Sequence, residues 1–343
     1  PISVDHKNNS VKLDSSEVLE FDHLVVALGS ATADFGVKGV TENALGMKSV
    51  HEAIGIRAEV MRRFEDLCRF EDDTKLSVVV VGGGPTGVEM AGALAELVRG
   101  PLMNDQKHAA LHIEVSLIEA GPRLLPSFSP KLSERTKRDL EKLGVKVLVN
   151  HAVKSVLREE INLKSGEKIP AEITIWAAGV KAPDFLYEIS GLESNRANQL
   201  VVLPTLQTTR DPHIFAMGDC AACPWPEANN GKGGIVPPRA QAAHQQASHL
   251  FSQIQNIIQE TPLKTYRYRD FGSLVSLGKF SSVGSMMGGL IGGSLMIDGF
   301  FAKVMYLSLY NLHQLALHGW IKVILDTISR LIHRRTDSIV KLH

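Results

Sequence analysis

The sequence predicts an α/β protein built on a doubly wound parallel sheet with some antiparallel hairpins. Three observations lead there. Leu76 to Val81 and Ile113 to Ile118 are short, unbroken apolar runs of the kind found in parallel strands covered on both faces. A glycine-rich turn, Gly82 to Gly87, follows the first run and opens into a helical pattern reaching about Arg99. A further apolar strand, Ile173 to Ala177, ends on the small residues Ala178-Gly179.

The remaining elements fit around these. Residues 1–26 read as short strands and turns closing on His23-Leu24-Val25-Val26, with Ala27-Leu28-Gly29-Ser30 as a small-residue turn. Helical sequence covers about 49–70 and 131–143, and Val145 to Val149 is a strand. Lys164-Ser165-Gly166-Glu167 reads as a hairpin turn. After a loop-rich stretch come the strand His213 to Met217 and a helix at about 238–258. From 266 the composition turns Gly- and Met-rich, then apolar and basic, and a boundary is set there. Four segments result: 1–74, 75–180, 181–265 and 266–343.

With 343 residues, 44% hydrophobic and 22% charged, the chain has enough material for about two domains with real cores. Lys plus Arg (37) equals Asp plus Glu (37), so no global field draws nucleic acid. Cys68, Cys220 and Cys223 cannot build a disulfide framework, which suits a reducing cytoplasm. The chain opens at Pro1, polar and without a signal peptide, directly into strand-like sequence, so the start of a domain is expected to be missing. Stretches 280–297 and 304–321 each run 18 residues without a charged side chain. Glycines at 284, 288, 289, 292 and 293 make the first a turn-rich hairpin, and Ser308, Asn311, His313, Gln314 and His318 make the second too polar, so neither reads as a membrane span.

Gly82-Gly83-Gly84-Pro85-Thr86-Gly87 satisfies G-x-G-x-x-G between a strand and a helix. Gly82 permits a tight turn, Gly84 lets backbone approach a pyrophosphate, and Gly87 allows close helix–strand packing. The helix start then offers free N–H groups and a positive dipole end to phosphates. Glu119 ends the second strand, where a carboxylate accepts from a ribose diol and repels a 2′-phosphate, favouring NADH over NADPH. Its distance from Gly82 exceeds the usual ~20 residues, which an insert at 99–112 explains. Arg123 nearby is a group able to accommodate a 2′-phosphate. Glu89, in the first helical turn, reads either as a dipole-favoured surface acid or as a group beside the nicotinamide.

Cys220-Ala221-Ala222-Cys223 is a C-x-x-C, and is read as small packing residues before a redox pair or metal site, since no histidine completes a ligand set. In the tail, Met305, Leu309, Leu312 and Ala316 share one helical side and Lys303, Asn311, Gln314 and His318 the other, followed by Lys322, Arg330, Arg334 and Arg335. An apolar face with a basic end describes a helix lying in the membrane interface and drawn to anionic lipid. The competing reading packs it on its own domain or on a second copy, as in a homodimer.

At this point the sequence resembles a known family. Ala27-Leu28-Gly29-Ser30 and Trp176-Ala177-Ala178-Gly179 resemble the two crossover turns of two-dinucleotide flavoproteins, and Phe215-Ala216-Met217-Gly218-Asp219 resembles their second FAD motif. A closer similarity is to type II NADH dehydrogenase, the non-pumping respiratory NADH:quinone oxidoreductase of bacteria. It rests on Pro238-Arg239-Ala240-Gln241-Ala242-Ala243-His244-Gln245-Gln246, on Leu206 to Asp211, on Gly272 to Gly278 and on Leu315 to Gly319.

The resemblance implies a two-dinucleotide-binding-domain flavoprotein: a Rossmann-like NAD domain inserted in a truncated FAD domain, with a C-terminal amphipathic helical membrane-binding region. It implies FAD and NADH as cofactors, Gly29, Ala178, Gly179, Gly218 and Asp219 at the flavin, and Gly82, Gly84, Gly87 and Glu119 at NADH. Glu89 then lies near the flavin–nicotinamide junction, and Gln241 and Gln245, one helical turn apart, line the route to membrane quinone. The alternative for those two is a polar face covering a domain edge. The family's first G-x-G-x-x-G has no counterpart before Gly82, so poor FAD binding by this chain is expected. The expected location is the cytoplasmic face of the inner membrane, with residues 300–343 on anionic lipid. Two other functions stay open: a soluble flavoprotein reductase of a disulfide or protein carrier, and a chain that only binds NADH.

Overall fold

The computed structural model describes residues 3–5, 7–70, 75–99, 113–188, 191–271, 273–276, 282–286, 295–298, 319–325, 327 and 329. They form two compact units, Pro1–Ala33 with Gly179–Phe271, and Asp34–Ala178 with the described residues from Ser273 onward.

In the first unit, β1 (Ser3–Asp5), β2 (Ser10–Lys12) and β3 (Val18–Glu20) make an antiparallel meander. β4 (Leu24–Val26) lies parallel to the later strand Ile214–Ala216, and β5 (Ala31–Thr32) pairs antiparallel with Val180–Lys181.

The second unit holds a five-stranded parallel sheet. Its strands are β6 (Leu45–Gly46), β7 (Leu76–Val81), β8 (Ile113–Ile118), β9 (Lys146–Leu148) and β13 (Ile173–Trp176), in the order β6-β13-β7-β8-β9. Between β9 and β13 runs an antiparallel meander of β10 (Val153–Val156), β11 (Glu160–Leu163) and β12 (Lys168–Pro170), with residues 164–167 as the expected turn.

Strand alternation explains the unbroken apolar runs. Val78, Val80, Val115, Leu117, Ile173 and Ile175 pack under helices, while Val79, Val81, Ile118 and Trp176 pack against Val153, Val156, Ile161 and Leu163 of the meander. The parallel sheet was expected, but its second face is covered by the hairpins and not by helices. Burying side chains of this size contributes about 1.5–3 kcal/mol each, so both faces are needed to hold the strands.

The helices on the first face begin where sequence says they should. Helix α1 (Val50–Phe70) starts at a capping box: the Glu52 N–H donates to Ser49 Oγ at 3.1 Å, and the Ser49 N–H donates back to Glu52 Oε2 at 2.6 Å. Helix α2 (Pro85–Arg99) begins inside the glycine turn, with Gly87 already in its first turn. Helix α3 (Pro130–Lys142) is capped by Ser129, whose Oγ accepts from the Leu132 N–H at 3.3 Å, with proline in the first helical turn.

The segment boundaries move. The chain passes into the second unit at Ala33/Asp34 rather than at 74/75. The reason is that β6 joins the sheet edge, pairing Leu45 with Ile175, and α1 sends Ile56, Val60 and Phe64 into the core. The return falls at Ala178/Gly179, close to the expected 180. The last boundary falls after Phe271, and the strands Ser273–Ser276, Ser282–Met286 and Leu295–Asp298 cluster with the second unit, Val275 lying in its core.

No helix among the described residues is long and apolar enough to cross a membrane. Most of the insert at 99–112 and the tail positions Met305, Leu309, Leu312 and Ala316 lie outside the described residues.

Candidate functional site

Strand β7 hands the chain to Gly82, whose φ of +118° is open to glycine and strained for other residues. The Gly82 N–H donates to Ile118 O at 2.8 Å, and a Cβ there would lie 2.5 Å from Ala177 O. A Cβ on Gly87 would lie 1.8 Å from Gly82 O, so α2 can close on the strand only without one. A Cβ on Gly84 would meet nothing within 4 Å. The backbone at Gly84 is thus open to approach, while the tight turn at Gly82 and the close helix–strand contact at Gly87 are as their spacing implied. Ala178 packs its Cα against the same turn, 2.6 Å from where a Gly82 Cβ would lie.

Glu119 follows β8 and joins two loops. Its Oε2 accepts from the Gly83 N–H at 2.7 Å and its Oε1 from the Gly121 N–H at 2.6 Å. Charge-assisted bonds of this kind fix a carboxylate in place and leave further lone pairs for a diol. The Arg123 guanidinium turns into its own loop: Nη2 donates to Pro126 O at 2.8 Å, and Nη1 is buried without a hydrogen-bond partner. Among the described residues no ion pair joins it to Glu119, so it does not alter the carboxylate's charge by direct contact. Glu89 is half-buried and is the fifth residue of α2, one position past the first turn in which it was expected. Its distance from the helix start weakens any dipole argument for it.

In the first unit, β4 and the strand Ile214–Ala216 run parallel and end side by side, with Val26 opposite Ala216. Each continues into a left-handed glycine, Gly29 at φ +68° and Gly218 at φ +72°. A Cβ on Gly29 would meet nothing within 4 Å, and one on Gly218 would meet only Ala243 Cβ, at 3.6 Å. Between these turns sits Asp219, whose Oδ2 accepts from Ser30 Oγ–H at 2.6 Å and whose carbonyl accepts from Gln199 Nε2 at 2.9 Å. An anchored carboxylate beside two bare glycine turns fits the polyhydroxyl and ring half of a flavin nucleotide. Gly179 opens the return into this unit, and its carbonyl accepts from the Ala33 N–H at 3.0 Å.

Helix α4 (Ala240–Ile258) serves two sides. On its buried side Gln246, 1% exposed, accepts the Gly218 N–H on Oε1 at 2.6 Å. On another side Gln241 and Gln245 hold the extended segment 264–271. Gln241 Oε1 accepts from the Phe271 N–H at 3.1 Å; Gln245 Oε1 accepts from the Arg269 N–H at 3.0 Å while its Nε2 donates to Arg269 O at 2.9 Å. Sequence reasoning put Gln241 and Gln245 on one face, and they are; it did not see that their amides grip backbone. It also missed Gln246. The available signal was its place in the stripe Ala242, Gln246, Leu250 and Gln253, the buried face of α4, because a glutamine there must find a partner.

Cys220 and Cys223 are free, buried thiols. Burial pushes both up, Cys223 to about 12 with a Gln246 hydrogen bond opposing. Neither is a thiolate at neutral pH, so the pair is unsuited to thiol exchange. Among the described residues no group of three or more His, Cys, Asp or Glu could hold a metal.

Residues 1–247 match the family described as pyridine nucleotide-disulphide oxidoreductase, and the chain belongs to that family. It is 37% identical over 95% of its length to a type II NADH:quinone oxidoreductase of Haemophilus influenzae, of which it covers 76%. It is 32% identical over 92% of its length to type II NADH:quinone oxidoreductase Ndh of Mycobacterium tuberculosis, covering 68%. Within the wider family, the chain therefore belongs to the type II NADH:quinone oxidoreductases. The fold agrees: NDH2 from Plasmodium falciparum, solved in complex with NADH, superposes at a TM-score of 0.82 with 22% identity, covering 95% of this chain and 82% of that one.

Proposed function

We infer that this chain oxidises NADH by hydride transfer to FAD and passes two electrons to a membrane quinone without pumping protons. NADH, a proton and quinone are consumed, and NAD⁺ and quinol are formed. The observation that carries this is the pairing, in one chain, of a dinucleotide loop clasped by Glu119 with a second set of open glycine turns at Gly29 and Gly218 around Asp219.

FAD, when bound, supplies a centre that accepts hydride and is reoxidised by a quinone. The chain's part is to bind and orient. Gly84 and the start of α2 take the NADH pyrophosphate, and Glu119 takes the adenosine ribose. Asp219, held by Ser30, takes the ribityl hydroxyls, with Gly29, Gly218 and Gly179 giving the ring close access. Glu89 sits at the nicotinamide side, binding or relaying a proton. Gln241 and Gln245 border the quinone route through the backbone they hold. The sequence contains a single G-x-G-x-x-G, so this half-cradle is the part of a flavin site that these residues supply.

We read the protein as peripheral on the cytoplasmic side of the inner membrane. Supporting this, the described part of the tail carries Trp320 63%, Ile321 59% and Leu325 61% exposed, beside Lys322. NADH consumption with added FAD and a water-soluble quinone tests the function. Turnover on quinone and none on a disulfide is expected. Preference for a disulfide would favour the soluble reductase, and binding without turnover would leave an NADH-binding chain.

A further inference from the structure

Residues 266–271 alternate in burial. Tyr266 and Tyr268 are buried, whereas Arg267, Arg269 and Phe271 are exposed. That is the period of extended chain, so two guanidinium groups and a phenyl ring project in one row, each about 7 Å from the next. The row is fixed to α4. Besides the Gln245 clamp on Arg269, Gln253 accepts the Lys264 N–H at 2.9 Å and donates to Lys264 O at 2.7 Å. His249 Nε2 meets the same carbonyl at 3.0 Å.

Between row and helix lies an open groove of about 460 Å³, lined by Arg267, Arg269, Phe271, His244 and Ser248 among others. The acid of this segment, Asp270, does not neutralise it, being paired with Arg239 at 3.2 Å and only 10% exposed at its side chain. Neither Arg267 nor Arg269 has an ion pair among the described residues.

On α4, Phe251 and Ile258 follow His244 at intervals of seven, on the same side of the helix. Phe251 is 65% and Ile258 77% exposed, with Ile254 beside them. An apolar stripe therefore continues from the edge of a cationic groove. A dissolved polyanion would satisfy the arginines and leave the stripe in water. A bilayer with anionic headgroups satisfies both.

We propose that the groove and stripe form a docking surface for anionic phospholipid, Arg267 and Arg269 holding headgroup phosphates while Phe271, Phe251 and Ile258 enter the interface. This rests on the peripheral-membrane reading and adds to the tail a second contact, in the other compact unit. Arginine suits the task because its planar fork binds phosphate through two bonds.

The test is flotation of the full 343-residue chain with vesicles of phosphatidylglycerol in phosphatidylcholine, and of phosphatidylcholine alone. Arg267→Ser with Arg269→Ser should lower partitioning onto the anionic vesicles about 30-fold, a factor of roughly five per charge. It should leave partitioning onto neutral vesicles unchanged. Phe251→Ser with Ile258→Ser should weaken both. Equal anionic binding by the arginine variant and the parent overturns the proposal. So does retention of the parent by heparin at physiological salt without vesicle binding, which would mark a polyanion site. Turnover on a water-soluble quinone, measured without lipid, tests the enzymatic reading separately: its loss with flotation intact counts against that reading and leaves the groove standing.

Discussion

Glu119 Oε2 accepts the Gly83 N–H at 2.7 Å, so the carboxylate proposed to take the ribose also fixes the glycine loop. One side chain therefore sets both the shape of the site and its charge. Glu119→Ala should lower NADH affinity about 10- to 100-fold, the loss of one or two charge-assisted bonds, and should narrow the preference over NADPH. Titration with each nucleotide reads both effects. Unchanged discrimination would assign the specificity elsewhere.

The three glycines should separate by substitution. Gly84→Ala meets open space, so thermal stability should stay within about 0.5 kcal/mol while NADH affinity falls on the order of tenfold or more. Gly87→Ala puts a Cβ 1.8 Å from Gly82 O and should cost more than about 4 kcal/mol. Thermal melts with and without NADH compare the two. A Gly84→Ala protein that still binds NADH normally would displace the pyrophosphate from this turn.

Gln246→Leu should destabilise by about 1–3 kcal/mol, because the half-buried Gly218 N–H loses its acceptor. Gln245→Leu, at a half-buried position, should cost less and should loosen residues 264–271 instead. Hydrogen exchange at the Gly218 and Arg269 amides would show each effect where it is expected.

Cys223 gives a pH dependence with a definite sign. Its folded value is about 12, raised by burial against a Gln246 bond that lowers it, while an unfolded thiol titrates near about 8.5. A raised value means the contribution is fully present below the unfolded value and is lost as pH climbs toward the folded one. Stability should therefore fall from about pH 8.5 upward, with Tyr266, also raised by burial, adding to the decline. Cys223→Ala should flatten that slope in urea titrations across the alkaline range. Turnover should survive Cys220→Ser with Cys223→Ser, because neither thiol is ionised or exposed; loss of activity with the fold intact would revive the thiol chemistry.

Local physics made much of this legible. Gly82 and Gly87 announce their roles because a side chain at either would collide with backbone, and β7 and β8 announce theirs by unbroken apolar runs. Glu119 could be found despite its distance from Gly82, because a strand end fixed it. What stayed hidden was set by distant partners. Ser30 meets Asp219 across 189 positions, and nothing in either neighbourhood signals the other. Leu45–Gly46 is too short to carry a period, yet as the sheet's edge it moved the first unit boundary from 74 to 33. The grip of Gln241 and Gln245 on residues 269–271 depends on where an extended segment lies, and helical spacing does not encode that.

The antiparallel ribbon of β5 with Val180–Lys181 pairs the residues just before the Asp34–Ala178 stretch with those just after it, and the Ala33 N–H meets Gly179 O at 3.0 Å. The inbound and outbound chains thus pass through one clasp. Such a stretch is entered and left at a single place in space, so exchanging it between relatives needs one pair of junctions there, together with the matching core contact that Val275 brings from the later chain. Glu119, proposed to set coenzyme preference, would travel with that stretch, while Gln241 and Gln245, proposed to border the quinone route, would stay behind.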